Sequence, residues 1–199
     1  MKKIILSLVF FSIPWYSCTL QNEPDIPDIS YFDEIACKLV QDTSFINLPT
    51  STLEEFDSTW TTSKEVIQNA GPVMDSLSNS NVFVYAREDS AYSFLLPDEF
   101  DTSYVLLKNK TEHVGKVIFY SREQIGLMLY DNSGIQIAAV KDNMPLATVA
   151  ACVIDTISPP EPIFKIRQEY YLEGNEALIQ IIAVEQTKNR DIPAVISQG

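Results

Sequence analysis

The chain has 199 residues, 46% of them hydrophobic, and a formal net charge of −13. That charge excludes nucleic acid and anionic lipid as direct partners, because both attract basic surfaces. With a removable leader set aside, about 180 residues remain, the size of one domain able to bury roughly 70% of its extended-chain surface.

The chain opens MKKIILSLVFFSIPWYSC. Lys2 and Lys3 form a positive n-region, Ile4 to Tyr16 a short and mostly apolar h-region, and Ser17-Cys18 stands where cleavage is expected. The apolar run is too short to cross a bilayer comfortably, so it reads as an export signal. The first alanine is Ala36, which leaves no A-x-A-like site for the general signal peptidase. A small residue and a cysteine directly after the apolar run resemble a bacterial lipoprotein signal, in the relaxed Ser-Cys form of Bacteroidetes. Trp15 and Tyr16 differ from it, since an aliphatic residue is usual three places before the cysteine. The alternative is an ordinary secretory peptide with an incidental cysteine. The resemblance covers the leader alone. It implies a signal peptide over 1–17, Cys18 as the lipidated residue (palmitate or a similar acyl chain), and a place in the cell envelope at the outer membrane, on its periplasmic or surface side. Each buried methylene contributes roughly 0.8 kcal/mol, so several acyl chains hold a domain stably to a membrane.

Residues 18–30, CTLQNEPDIPDIS, are polar, acidic and kept extended by Pro24 and Pro27, as a flexible tether is. Residues 31–80 form a helical N-terminal part. YFDEIACKLV sets Phe32, Ile35, Ala36, Leu39 and Val40 on one helical face. Ser51 or Thr52 caps a second helix with Glu54 and Glu55 in its first turn, and Gly71-Pro72 breaks or kinks it before a last turn at Val73 to Leu77. From Asn81 the reading changes to strands: 81–86, 91–96, 104–107, 114–121, 125–130, 135–141 and 148–154. Asp131-Asn132-Ser133-Gly134 is a hairpin turn. Ile163 to Leu172 and Ala177 to Gln186 read as the clearest hairpin, and the tail after them ends in polar residues with no anchor signal. The fold class is therefore α+β: short helices, then an antiparallel strand-rich part over 81–199 of the same domain, as a sandwich or a sheet with helices on one side.

Few motifs carry chemistry. His113 is the single histidine, and no G-x-S-x-G, H-E-x-x-H, P-loop or G-x-G-x-x-G occurs, so neither a triad nor a metal or cofactor site is expected. Asp98, Glu99 and Asp101 offer hard oxygen ligands for calcium, but an acidic solvated loop is the plainer reading. If Cys18 is lipidated, Cys37 and Cys152 remain as an even pair for a disulfide in an oxidising compartment, the alternative being two buried thiols. That bridge would close a loop of more than 100 residues and contribute at most about 4–5 kcal/mol. Four Asp-Ser/Thr triplets place Ser58, Ser76, Ser90 and Thr156 in a pattern that resembles the O-glycosylation motif of exported Bacteroidetes proteins, though Asp-Ser also initiates turns and caps helices. An Asn-Lys-Thr sequon begins at Asn109. Phe119-Tyr120 and Tyr170-Tyr171 each put one aromatic on either face of a strand, so that one of each pair is a candidate exposed platform; core packing is the plainer alternative.

The expected function is a membrane-anchored envelope lipoprotein acting as a non-enzymatic binding or accessory subunit for a protein partner, immunity-type protection being a special case. A hydrolase of glycan or peptide using dispersed carboxylates is the alternative.

Overall fold

The computed structural model describes residues 31–41, 44–52, 62–87, 90–97, 101–109, 115–140, 164–188 and 190–198. These hold three helices, α1 (Tyr31–Gln41), α2 (Ser63–Gln68) and α3 (Ala70–Asn79). The strands are β1 (Ile46–Leu48), β2 (Phe83–Tyr85), β3 (Ala91–Leu96), β4 (Thr102–Lys108), β5 (Gly115–Ser121), β6 (Gly126–Tyr130), β7 (Gln136–Ile137), β8 (Ile166–Leu172), β9 (Glu176–Ile182) and β10 (Arg190–Gln198). They form two five-stranded sheets, β1-β3-β10-β5-β8 and β2-β4-β9-β6-β7. The fold is mostly β with some helices. The sheets are mixed rather than purely antiparallel, since β1 runs parallel to β3 and β2 parallel to β4.

Four antiparallel pairs are nested: β6 with β7, β5 with β8, β4 with β9, and β3 with β10. This is one long hairpin rolled up so that successive pairs alternate between sheets, the winding of a jelly roll. The segments 163–172 and 177–186 are consequently no hairpin. β8 lies in one sheet against β5, and β9 in the other between β4 and β6. The short turn between them connects sheets instead of ladder partners. The Asp131–Gly134 turn does join paired strands, as its sequence implies.

Alternation along the strands builds three cores. Val117 and Phe119 of β5 face between the sheets, where they meet Val105 and Leu107 of β4 and Ile179 and Ile181 of β9. Ile118 and Tyr120 face outward beneath Ala36, Cys37 and Val40 of α1. On the other sheet Tyr104, Leu106 and Leu178 face outward beneath Val66 of α2 and Val73, Met74 and Leu77 of α3. Helices thus cover both outer faces, not one side. Strands buried on both faces read as nearly continuous apolar runs, which is why they were legible in the sequence.

The sequence pattern assigns no strand after Gln186, yet β10 is central to its sheet. Its proline argues against a central strand. The structure accommodates Pro193 where the β5 ladder has ended: Ala194 is opposite Ser121, the last residue of β5, and the Pro193 carbonyl accepts from the Arg122 N–H at 3.1 Å. The ring nitrogen faces the same side as that carbonyl, so the proline forgoes only the bond opposite Arg122 at the end of the β5 ladder and none toward β3.

The second helix begins at Ser63, with Thr62 and Glu65 closing a capping box. It ends at Gln68 with Asn69 as its C-cap, two residues before Gly71, and Pro72 falls in the first turn of α3, where a missing N–H is tolerated. The β6–β7 turn rests on this break. Gly134 adopts φ +76°, and a Cβ there would collide with the Ile67 carbonyl oxygen. Left-handed strain and overpacking together predict that Gly134→Ala destabilises the fold by about 2–4 kcal/mol in urea unfolding; a loss below about 1 kcal/mol would show that the turn is not clamped to the helices.

Candidate functional site

Two constellations stand out. The first is a buried charge cluster between α1 and the sheet beneath it. On β8, Ile166, Tyr170 and Leu172 point into the inter-sheet core, so Arg167 and Glu169 point outward, where α1 seals them. Arg167 is 4% exposed at its side chain; its Nε donates to Asp33 Oδ1 of α1 at 2.7 Å, and its Nη2 to Glu169 Oε1 at 2.9 Å. Tyr120 of β5 donates its hydroxyl to Asp33 Oδ1 at 2.5 Å, and Lys116 reaches Glu169 at 3.3 Å. The guanidinium also lies 5.7 Å from the Tyr120 ring centre. Burial and the Asp33 bond push the Tyr120 hydroxyl well up, so it remains a donor. Burial alone would raise the Glu169 carboxyl, but hydrogen bonds and charge from Arg167 and Lys116 outweigh it and hold the group low. Burial likewise opposes the charge on Arg167, yet Asp33, Tyr120 and Glu169 together raise its pKa. Each charge is answered by a partner and covered by a helix, which is the arrangement of a structural clamp and not of a reacting centre.

The second is an open groove of about 770 Å³ at the end of the sandwich where the β6–β7 turn, the β8–β9 turn and α3 meet. Its walls include Ile135, Tyr171, Asp131, Glu173 and Glu176, with amides from Asn132, Gln136 and Asn175, and among the described residues no lysine or arginine lines it. Ile135 is 66% and Tyr171 49% exposed, unusual for side chains of this size beside a cavity. The alternation that buries Tyr170 at 2% puts Tyr171 outside. Two of the three carboxylates already have structural partners. Asp131 Oδ1 accepts the N–H groups of Ser133 and Ile135, fixing the turn, and Glu176 lies 3.6 Å from Lys108. What the groove offers is a half-apolar, acidic binding surface.

The residues singled out from sequence are scattered. Cys37 lies in α1, 3% exposed and disulfide-bonded, and its partner cysteine is not among the described residues. Cys18, Cys152, Ser58, Thr156, His113, Glu54, Glu55, Asp98 and Glu99 also lie outside the described residues, as does the expected strand over 148–154. Ser76 is half-buried on α3, and Ser90 half-buried just before β3. Asp101 is exposed and paired with Lys188 at 2.7 Å, which raises the lysine's pKa. Among the described residues no group of three or more His, Cys, Asp or Glu could hold a metal ion. Asn109, the sequon asparagine, is 7% exposed, and its side-chain amide finds no hydrogen-bond partner among the described residues. Of the aromatic pairs, Tyr170-Tyr171 splits between faces as expected, whereas Phe119 and Tyr120 are both buried because α1 covers the outer face. The sequence reading missed Asp33, Tyr120 and Arg167 as a unit and Ile135 as a groove residue. The period-2 pattern Arg167, Glu169, Tyr171 was the available signal for one shared face.

No protein-family model matches this chain, and no curated protein matches it either.

Removing the guanidinium leaves Asp33 buried with its charge unmatched there and Glu169 with Lys116 alone, so Arg167→Met should cost about 3–5 kcal/mol, while adding Asp33→Leu and Glu169→Leu should recover most of it. Equal losses in the single and triple variants would overturn the clamp. Because the native pKa of Glu169 is depressed, its contribution is complete above the unfolded value of about 4.3 and disappears as pH falls through the native value. Urea unfolding should therefore show wild type losing stability below about pH 4, with the gap to Glu169→Gln closing over the same range.

Proposed function

We propose that this chain is a lipid-anchored cell-envelope protein of α+β class, held at the outer membrane through Cys18, whose folded domain serves as a non-enzymatic binding or accessory subunit for a protein partner. The observation that carries the binding role is the groove with Ile135 and Tyr171 exposed in its wall. Large apolar side chains left open beside a cavity mark interaction sites.

The leader supports the anchor, and so does Cys37. A disulfide persists in oxidising compartments, and pairing Cys37 with Cys152 would leave Cys18 free to take the lipid. No helix among the described residues is long and apolar enough to cross a membrane. For catalysis by paired carboxylates two acids would have to face each other across a bond. With Asp131 committed to its turn and Glu176 beside Lys108, the groove favours binding over hydrolysis.

In cell fractionation, wild type should sediment with membranes and leave them only in detergent, and Cys18→Ala should become soluble. A Cys18→Ala protein that stays equally membrane-bound would remove the anchor. In denaturant without reductant, Cys37 should be alkylated in Cys152→Ser and protected in wild type; equal protection in both would refute the pairing.

A further inference from the structure

Resting on that reading, we infer that the groove takes an extended, basic segment of the partner protein, in which lysine or arginine side chains alternate with aliphatic ones. Three observations converge. The first is charge: Asp131, Glu173 and Glu176 border the groove, and among the described residues only Glu176 has a lysine beside it and no cation lines the groove itself. A cationic chain is therefore attracted, and a neutral or acidic one gains nothing from this field. The acids do not stand alone, because Ile135 and Tyr171 offer apolar area between them that a bare cation would leave uncovered.

The second is the backbone. Among the described strands β8 is the edge of its sheet, and the Glu169 carbonyl turns away from β5 to accept the Val140 N–H at 2.7 Å. Alternate residues of a strand turn their backbone groups to the same side, so Tyr171 directs its N–H and C=O to that outer edge, beside the groove its side chain lines. An added strand could pair there, with its alternate side chains facing the groove, which is the general mode of strand addition.

The third is rigidity. The Asp131 cap and the packing of Gly134 against Ile67 fix one wall, and the Asn109 N–H donates to the Asn175 carbonyl at 2.6 Å behind the other. A preformed surface loses little freedom on binding.

The test uses the full lipidated chain in non-ionic detergent and three fluorescent probes: a short peptide alternating lysine with valine, its counterpart with glutamate for lysine, and a neutral chito-oligosaccharide. The lysine peptide should bind and the glutamate peptide should not. Glu173→Lys and Tyr171→Ala should each weaken binding about tenfold, Leu95→Ala at the far end should leave it unchanged, and about 1 M salt, where the screening length is about 3 Å, should weaken it strongly. Failure of the lysine peptide to bind overturns the inference, as does binding that Glu173→Lys and Tyr171→Ala leave within about twofold. If the oligosaccharide binds instead and Tyr171→Ala abolishes that, the groove is still a binding site but its ligand is a glycan, and this inference fails. The anchor is judged separately, by the fractionation of Cys18→Ala.

Discussion

A buried guanidinium dictates much of this architecture. Arg167 cannot lie 4% exposed on the outer face of a sheet unless carboxylates meet it there, and one of them, Asp33, comes from the first helix. The sheet's outer face therefore requires α1, and α1 in turn requires that face, because Ala36, Cys37 and Val40 pack on Ile118, Tyr120 and Val195. Tyr120 belongs to both arrangements, with its ring in the apolar contact and its hydroxyl on Asp33. An apolar interface alone would let a short helix slide or rotate. Directional bonds to one guanidinium fix its register, the use of buried charge for which the physical case is strongest.

The same logic of covered faces runs through the molecule. Each central strand is buried on both sides, so neither sheet is stable without its helices, and the sandwich is closed by pairing that joins distant parts of the chain: Ala91 lies opposite Val195, and Lys108 opposite Glu176. Such nested, non-local pairing is slow to form but sets all the strand ends together at two poles. At one pole the Asp131–Gly134 turn, the Glu173–Asn175 turn and Met74 of α3 are brought side by side, although they are far apart in sequence. The groove is thus a product of the topology, and the rigid clamp at α1 and the glycine contact at Ile67 hold its framework still.

How far this was legible follows from the range of the forces involved. The amphipathic period of α1 and the apolar runs of β3, β5 and β6 are local signals, and their positions agree with the structure to within a residue or so. The partner of each strand is not a local property. Two strong strands around Glu173-Gly174-Asn175-Glu176 look like a hairpin, and only the competing partners β5 on one side and β4 and β6 on the other separate them. β10 escaped because Pro193 is harmless only where the neighbouring strand stops, and that cannot be seen without the register. No local pattern marks Arg167 and Glu169 as buried; their burial depends on a helix more than 120 residues earlier in the chain. Tyr171 was readable by alternation, but its neighbour across the groove, Ile135, read as the first residue of a strand, whereas it stands exposed just before the short β7.

The most direct test of this account is to purify the lipidated protein from its native membrane in mild detergent, wild type beside an Ile135→Lys/Tyr171→Lys double variant. A stoichiometric companion that accompanies the wild type and is lost from the variant is the predicted result. Wild type recovered alone, or a companion retained equally by both proteins, would contradict the assignment of this groove as the working surface.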